Sequence, residues 1–178
     1  MTRIITRSFD SYTAAEAAVV RLEAAGHASD DITVLGSSAD KVESDAARGA
    51  EIGGAVGSGA GLLAGLASLP LPGVGPVLAA GWIFGTLAVG ATAGAAAGSL
   101  LSAMRGAGIA TEEAHFLAET VRRGGAVVSV RVADDAAAEV ESILDGAGPI
   151  DAKQRRAAYE REGWAGFDET APPYKRRA

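Results

Sequence analysis

Ala126-Val127-Val128-Ser129-Val130-Arg131-Val132 decides the fold. It is rich in β-branched residues and stands between Gly124-Gly125 and Asp134-Asp135, the signature of a strand bounded by turns. Alternation puts Val128, Val130 and Val132 on one face. Asp134 or Asp135 offers a side-chain oxygen to cap a following helix. Ala136, Val140, Ile143 and Leu144 supply that helix with an apolar stripe. Gly146 or Gly148 ends it, and Pro149-Ile150-Asp151 is expected to start a short last strand.

The same order of elements opens the chain. Residues 3–9, Arg-Ile-Ile-Thr-Arg-Ser-Phe, read as a strand, and Asp10 or Ser11 as a cap. Ala15, Ala18, Val19 and Leu22 recur at helical spacing. Gly26 closes the helix, and Ile32-Thr33-Val34-Leu35 follows the acidic pair Asp30-Asp31 as a second strand. Two such units predict an α+β fold, a ferredoxin-like βαβ–βαβ sandwich with two helices on one sheet face. The halves occupy residues 1–36 and 110–152, the second beginning with a connecting helix from Thr111 to Arg123.

Between them lies an insertion, residues 44–109, too long for an ordinary loop. Residues 52–104 contain no charged side chain and no histidine. Gly53, Gly57, Gly61 and Gly65 fall four apart, as do Gly81 and Gly85, and Gly90, Gly94 and Gly98. On a helix that spacing forms one face on which another backbone can approach closely. Leu69-Pro70-Leu71-Pro72-Gly73-Val74-Gly75-Pro76 interrupts the pattern. The expectation is a Gly/Ala-rich helical hairpin with arms at about 46–69 and 77–105, its nine zipper glycines packing helices together or driving oligomerisation.

Two readings of that hairpin stay open. A bilayer core of about 30 Å needs about 20 helical residues. Arg48 and Arg105 flank the hairpin at its base, and no charge hinders passage of its tip. That suits a hairpin in inner-membrane lipid with both ends in the cytoplasm, and Trp82 and Phe84 stand where interfacial aromatics would. Gly and Ala, however, are weakly hydrophobic, and glycine costs about 1 kcal/mol against alanine in a soluble helix. The membrane hairpin with a cytoplasmic α/β adaptor domain is the leading reading, and a cytoplasmic, self-associating scaffold whose glycine faces pair between copies is the alternative.

Charge and composition narrow the function. The chain has 178 residues and a net charge of −6, with 48% hydrophobic but only 5% aromatic residues. The body up to residue 152 is acidic, which excludes a basic nucleic-acid-binding face. With no cysteine, thiolate chemistry and disulfides are excluded. The opening residues lack the apolar core of a secretory signal. Gly59-Ala60-Gly61-Leu62-Leu63-Ala64 matches a loose dinucleotide fingerprint, but it has neither the preceding strand nor the acid about 20 residues on that such a site needs. His115, with Glu112 and Glu119 at helical spacing, reads as a charged face rather than a zinc site. Asp30-Asp31 and Asp134-Asp135 suit turns and caps better than acid–base work. No enzyme, cofactor or metal is expected.

Residues 153–178 are polar and poor in aliphatics, and are expected to form a mobile, disordered tail. Trp164, Phe167 and Tyr174 stand out there, either as anchors for a protein partner or as groups folded back on the domain.

The opening βαβ unit ending Asp-Asp-Ile-Thr-Val34, the glycine-rich insertion, and Gly124-Gly-Ala-Val-Val-Ser-Val-Arg-Val132 with its helix ending near Leu144 together resemble the bacterial general stress protein 17M-like family and related uncharacterised membrane proteins with a glycine-zipper insertion. The resemblance spans residues 3–151. It implies a stress-associated protein, often a membrane one, with no active-site residues to carry over.

Overall fold

The computed structural model describes residues 1–37, 67–71, 73–83, 100–171 and 174. Strand β1 (Thr2–Phe9) leads into helix α1 (Tyr12–Ala24). Of the two candidate caps it is Ser11 that acts, its Oγ accepting from the Ala14 N–H at 3.2 Å. Gly26, at φ +93°, takes the left-handed turn after the helix. A single 3-10 turn at Ser29–Asp31 then feeds β2 (Ile32–Ser37). Further on come β3 (Ala67–Leu71), β4 (Gly75–Gly81), α2 (Leu100–Gly106) and α3 (Thr111–Arg122). The chain continues with β5 (Ala126–Ala133), α4 (Ala137–Asp145) and α5 (Ala152–Arg161).

Among the described residues five strands form one sheet in the order β1-β5-β2-β4-β3, with every neighbouring pair antiparallel. β1 and β2 therefore run parallel with β5 between them. On one face, Ile5 and Phe9 of β1, Val34 of β2 and Val128, Val130 and Val132 of β5 pack against Val19 and Leu22 of α1 and Val140 and Leu144 of α4. This is the pair of helices on one sheet face that the sequence predicted. The other face is covered as well: Leu35, Val77 and Val127 meet Met104 of α2 and Phe116, Leu117 and Val121 of α3. Each such buried aliphatic side chain contributes about 1.5–3 kcal/mol relative to exposure. Because β5 lies between two other strands and under helices on both faces, it is apolar on consecutive residues rather than strictly alternating.

Three expectations are corrected. First, residues 67–69 and 77–81 do not belong to helical arms: they lie in β3 and β4. The prolines explain this. Pro70 pushes Leu69 before it toward extended backbone, Pro76 fixes its own φ in a range a strand accepts, and Gly73 (φ +72°) and Gly75 (φ +95°) make the turn between the strands. Gly81, expected on a helical zipper face, instead closes β4 opposite Thr33. Its φ is +108°, and an added Cβ would stand 2.2 Å from the Ile32 carbonyl oxygen. Gly53, Gly57, Gly61, Gly65, Gly85, Gly90, Gly94 and Gly98 lie outside the described residues, as do Arg48 and Phe84.

Second, residues 149–151 form no strand. The Ile150 N–H donates to the Ser8 carbonyl at 2.7 Å, a single bond beside β1. Pro149 has no N–H to extend the pairing, and Asp151 is diverted into capping α5, its Oδ1 accepting from the Gln154 N–H at 2.9 Å. Likewise Asp134 and Asp135 do not cap α4 from a distance. Asp134 pairs with the Met1 ammonium at 3.3 Å, and Asp135 accepts from the adjacent Ala136 N–H at 3.0 Å. Third, of the segment 153–178 expected to be disordered, the described residues form α5 and a strap that returns across α3; residues 172–173 and 175–178 lie outside the described residues.

Candidate functional site

Among the described residues a cluster of polar and aromatic side chains forms where that strap crosses α3. Glu119 points inward and is 1% exposed. It accepts from Arg122 through Nε at 2.7 Å and Nη2 at 2.6 Å, and from Arg123 Nε at 2.6 Å. Helical spacing of three and four brings both guanidinium groups to one carboxylate. Arg123 also donates to Glu162, just beyond α5. This bond, then the charge itself, holds the Glu162 carboxyl below the usual carboxylate range. The same guanidinium lies 4.1 Å from the Tyr159 ring centroid and 4.9 Å from that of Tyr174. Arg156 sits 5.4 Å from the Phe116 ring and 6.0 Å from Trp164. Arginine and aromatic rings thus alternate along the seam, each contact a cation–π attraction.

The remaining fastenings are hydrogen bonds. Arg155 pairs with Asp10 at 2.6 Å, joining α5 to the end of β1. The Phe167 N–H donates to His115 Nδ1 at 3.0 Å. Phe167 is buried, and Tyr159 stacks edge-on with Trp164 at 6.0 Å. A cavity of about 480 Å³ remains between Asp10, Thr120, Arg123, Arg155, Tyr159 and Glu162. The charged groups on its wall are matched to partners of opposite sign, and the Thr120 hydroxyl donates to the Phe116 carbonyl at 3.0 Å. These contacts hold α5 and the strap against α3 and the end of β1.

Sequence reasoning singled out Trp164, Phe167 and Tyr174. The structure brings all three to this seam, with Tyr174 partly exposed over Arg122 and Arg123. It missed the glutamate and arginines that hold them. The signal was present in Glu119, Arg122 and Arg123 at spacings of three and four, but spacing alone does not tell an inward carboxylate from a solvated one. His115 and Glu119 go to different partners: His115 Nδ1 accepts from the Phe167 N–H, and Glu119 from Arg122 and Arg123. Asp31 pairs with Arg131 at 2.8 Å, and that guanidinium lies 4.8 Å from the Trp82 ring. Among the described residues no cluster of three or more His, Cys, Asp or Glu side chains is arranged to hold a metal ion. Among the same residues no helix is long and apolar enough to cross a membrane.

Residues 5–67 match the family model of the heat induced stress protein YflT domain. The matched span contains most of β1, all of α1 and β2, and ends at the first residue of β3. It supports a general stress protein family for that part of the chain and hence a stress-associated role. No curated protein and no solved structure matches the chain.

Proposed function

We propose that this is a non-enzymatic, stress-associated scaffold that works by self-association through its charge-free, glycine-rich segment. One observation carries the choice of scaffold over transbilayer hairpin. The middle of the charge-free segment, Val77–Gly81, pairs with Ser37–Thr33 of β2. In a transbilayer hairpin these residues would belong to an arm leaving the domain, with the tip about 30 Å away across the hydrocarbon. Residues 77–81, paired to the central sheet, do not fit such an arm, which favours the scaffold.

The non-enzymatic part of the reading rests on the seam. Its carboxylates are committed to arginines, and its hydroxyl and imidazole to backbone groups. The ferredoxin-like kinship is consistent with β1 and β2 lying on either side of β5, with the Ile150 contact beside β1 marking where a fourth strand would stand.

The test is the native mass of the full chain in detergent-free buffer by light scattering, together with carbonate washing of membranes from cells making the untagged protein. The scaffold reading expects an assembly larger than a dimer that is lost in Gly61→Leu and Gly94→Leu, and protein released from washed membranes. A wild-type mass that equals that of the variants, or protein retained in the washed pellet until detergent is added, would overturn it.

A further inference from the structure

The two edges of the sheet are unlike. β3, at one edge, carries Pro70, a residue that blunts strand pairing. β1, at the other, has Thr2, Ile4 and Thr6 at the positions that matter. The Ser8 carbonyl accepts from Ile150 on the side away from β5. Antiparallel ladders alternate, so the backbone groups of Thr2, Ile4 and Thr6 face the same way as those of Ser8. Among the described residues no strand pairs with them. The Ile150 bond closes the edge at Ser8, so the open run is Thr2-Arg3-Ile4-Ile5-Thr6.

We propose that this run pairs with the same run of a second copy, antiparallel about a two-fold axis at Ile4, joining two sheets into one. The open length fits that register: Thr2 lies opposite Thr6, Arg3 opposite Ile5, and Ile4 opposite Ile4. Thr–Thr and Ile–Ile are favourable cross-strand pairs, and within the run no like charges stand directly opposite; just outside it Met1 faces Arg7, each already paired, with Asp134 and Asp145. Shifting the register by two residues to centre on Ile5 would set Arg3 against Arg7 and require Ser8 groups already in use.

Charge agrees with this choice. Arg3 is paired with Glu141 and Arg7 with Asp145, so the edge does not repel its own copy. Beside Thr6 and Ser8 runs a groove of about 710 Å³ whose walls carry both signs, Glu112, Glu113, Asp145 and Asp151 with Arg7, Lys153 and Arg156. Four acids against three bases leave it slightly negative, and the same register brings the start of the second strand, with Met1 and Arg3, toward it. A C2 pairing of one patch with itself closes at two copies, so this interface is separate from assembly through the glycine-rich segment.

The test uses sedimentation of the full chain across a dilution series. Wild type is expected to contain a reversible dimerisation step. Ile4→Pro removes an N–H that β5 does not use, so circular dichroism and melting should stay close to wild type while dimerisation weakens by at least about tenfold, the loss of one net hydrogen bond from each copy. Because the chain has no cysteine, Ile4→Cys should form a disulfide-linked dimer on mild oxidation, whereas Val20→Cys, exposed on α1, should not. A mass independent of dilution, dimerisation unchanged in Ile4→Pro, or no cross-link through residue 4 would overturn the edge pairing. Large assemblies that persist in Ile4→Pro but vanish in Gly61→Leu would leave the glycine-rich reading standing, so the two can fail separately.

Discussion

At Gly36 an added Cβ would stand 2.7 Å from Tyr12 Cδ2 and 2.9 Å from the Ala126 Cβ. The close packing of α1 on β2 thus rests on a missing methyl group. Gly36→Ala is expected to destabilise the fold by about 1–3 kcal/mol, the usual cost of overpacking, measurable as a shifted urea midpoint with an unchanged slope. Glu119 is the opposite case, a buried charge that must be matched. Glu119→Ala would leave Arg122 and Arg123 without their shared acceptor, at a cost of about 3–5 kcal/mol. Wild-type stability in that variant would show that solvent already screens the seam. Neither residue announced itself in the sequence. Gly36 sits in an ordinary strand pattern, and Glu119 reads as one carboxylate on a charged helix. What each touches depends on tertiary contacts.

At the scale of elements, β1, α1, β2, β5 and α4 were legible because each has one apolar periodicity and clear punctuation. β3 and β4 were not, because their residues are small and apolar on both sides, which makes a covered strand and a zippered helix look alike. The prolines at 70 and 76 read as a break between helices, whereas in the structure Pro70 and Pro76 lie within β3 and β4 and the glycines at 73 and 75 make the turn. α5 was missed because it is polar almost throughout and buries only Tyr159. Its anchors lie beyond it, in Trp164 and Phe167, and before it, in Asp151. Asp151→Ala should lower the helix content and cost about 1 kcal/mol of stability. The strap should also respond to acid. The Glu162 carboxyl is held below its ordinary range by Arg123, so its contribution is present above that range and is lost as pH falls through the lowered value. Trp164 fluorescence should report loosening at acidic pH. Glu162→Gln should show the loosened signal at neutral pH and a flattened response, and a response identical to wild type would contradict this account.

For the whole molecule, the two halves of the chain meet because β5 enters between β1 and β2, with helices covering both faces. The repeat read from the sequence accounts for one face. The second face, built by α2 and α3 and sealed by the C-terminal strap, is not legible in the sequence, because the apolar stripe of the connecting helix does not say which sheet face it covers. The candidate site was half visible: its aromatics were named and its arginines were not. The central claim is that the middle of the charge-free segment belongs to this sheet. Amide hydrogen exchange of the full chain in detergent-free buffer tests it most directly. The account predicts that amides of Val77–Gly81 that bond to β2 exchange slowly, with protection approaching that of β5. Rapid exchange there, beside a protected β5, would contradict it and return the segment to the reading of a hairpin that leaves the domain.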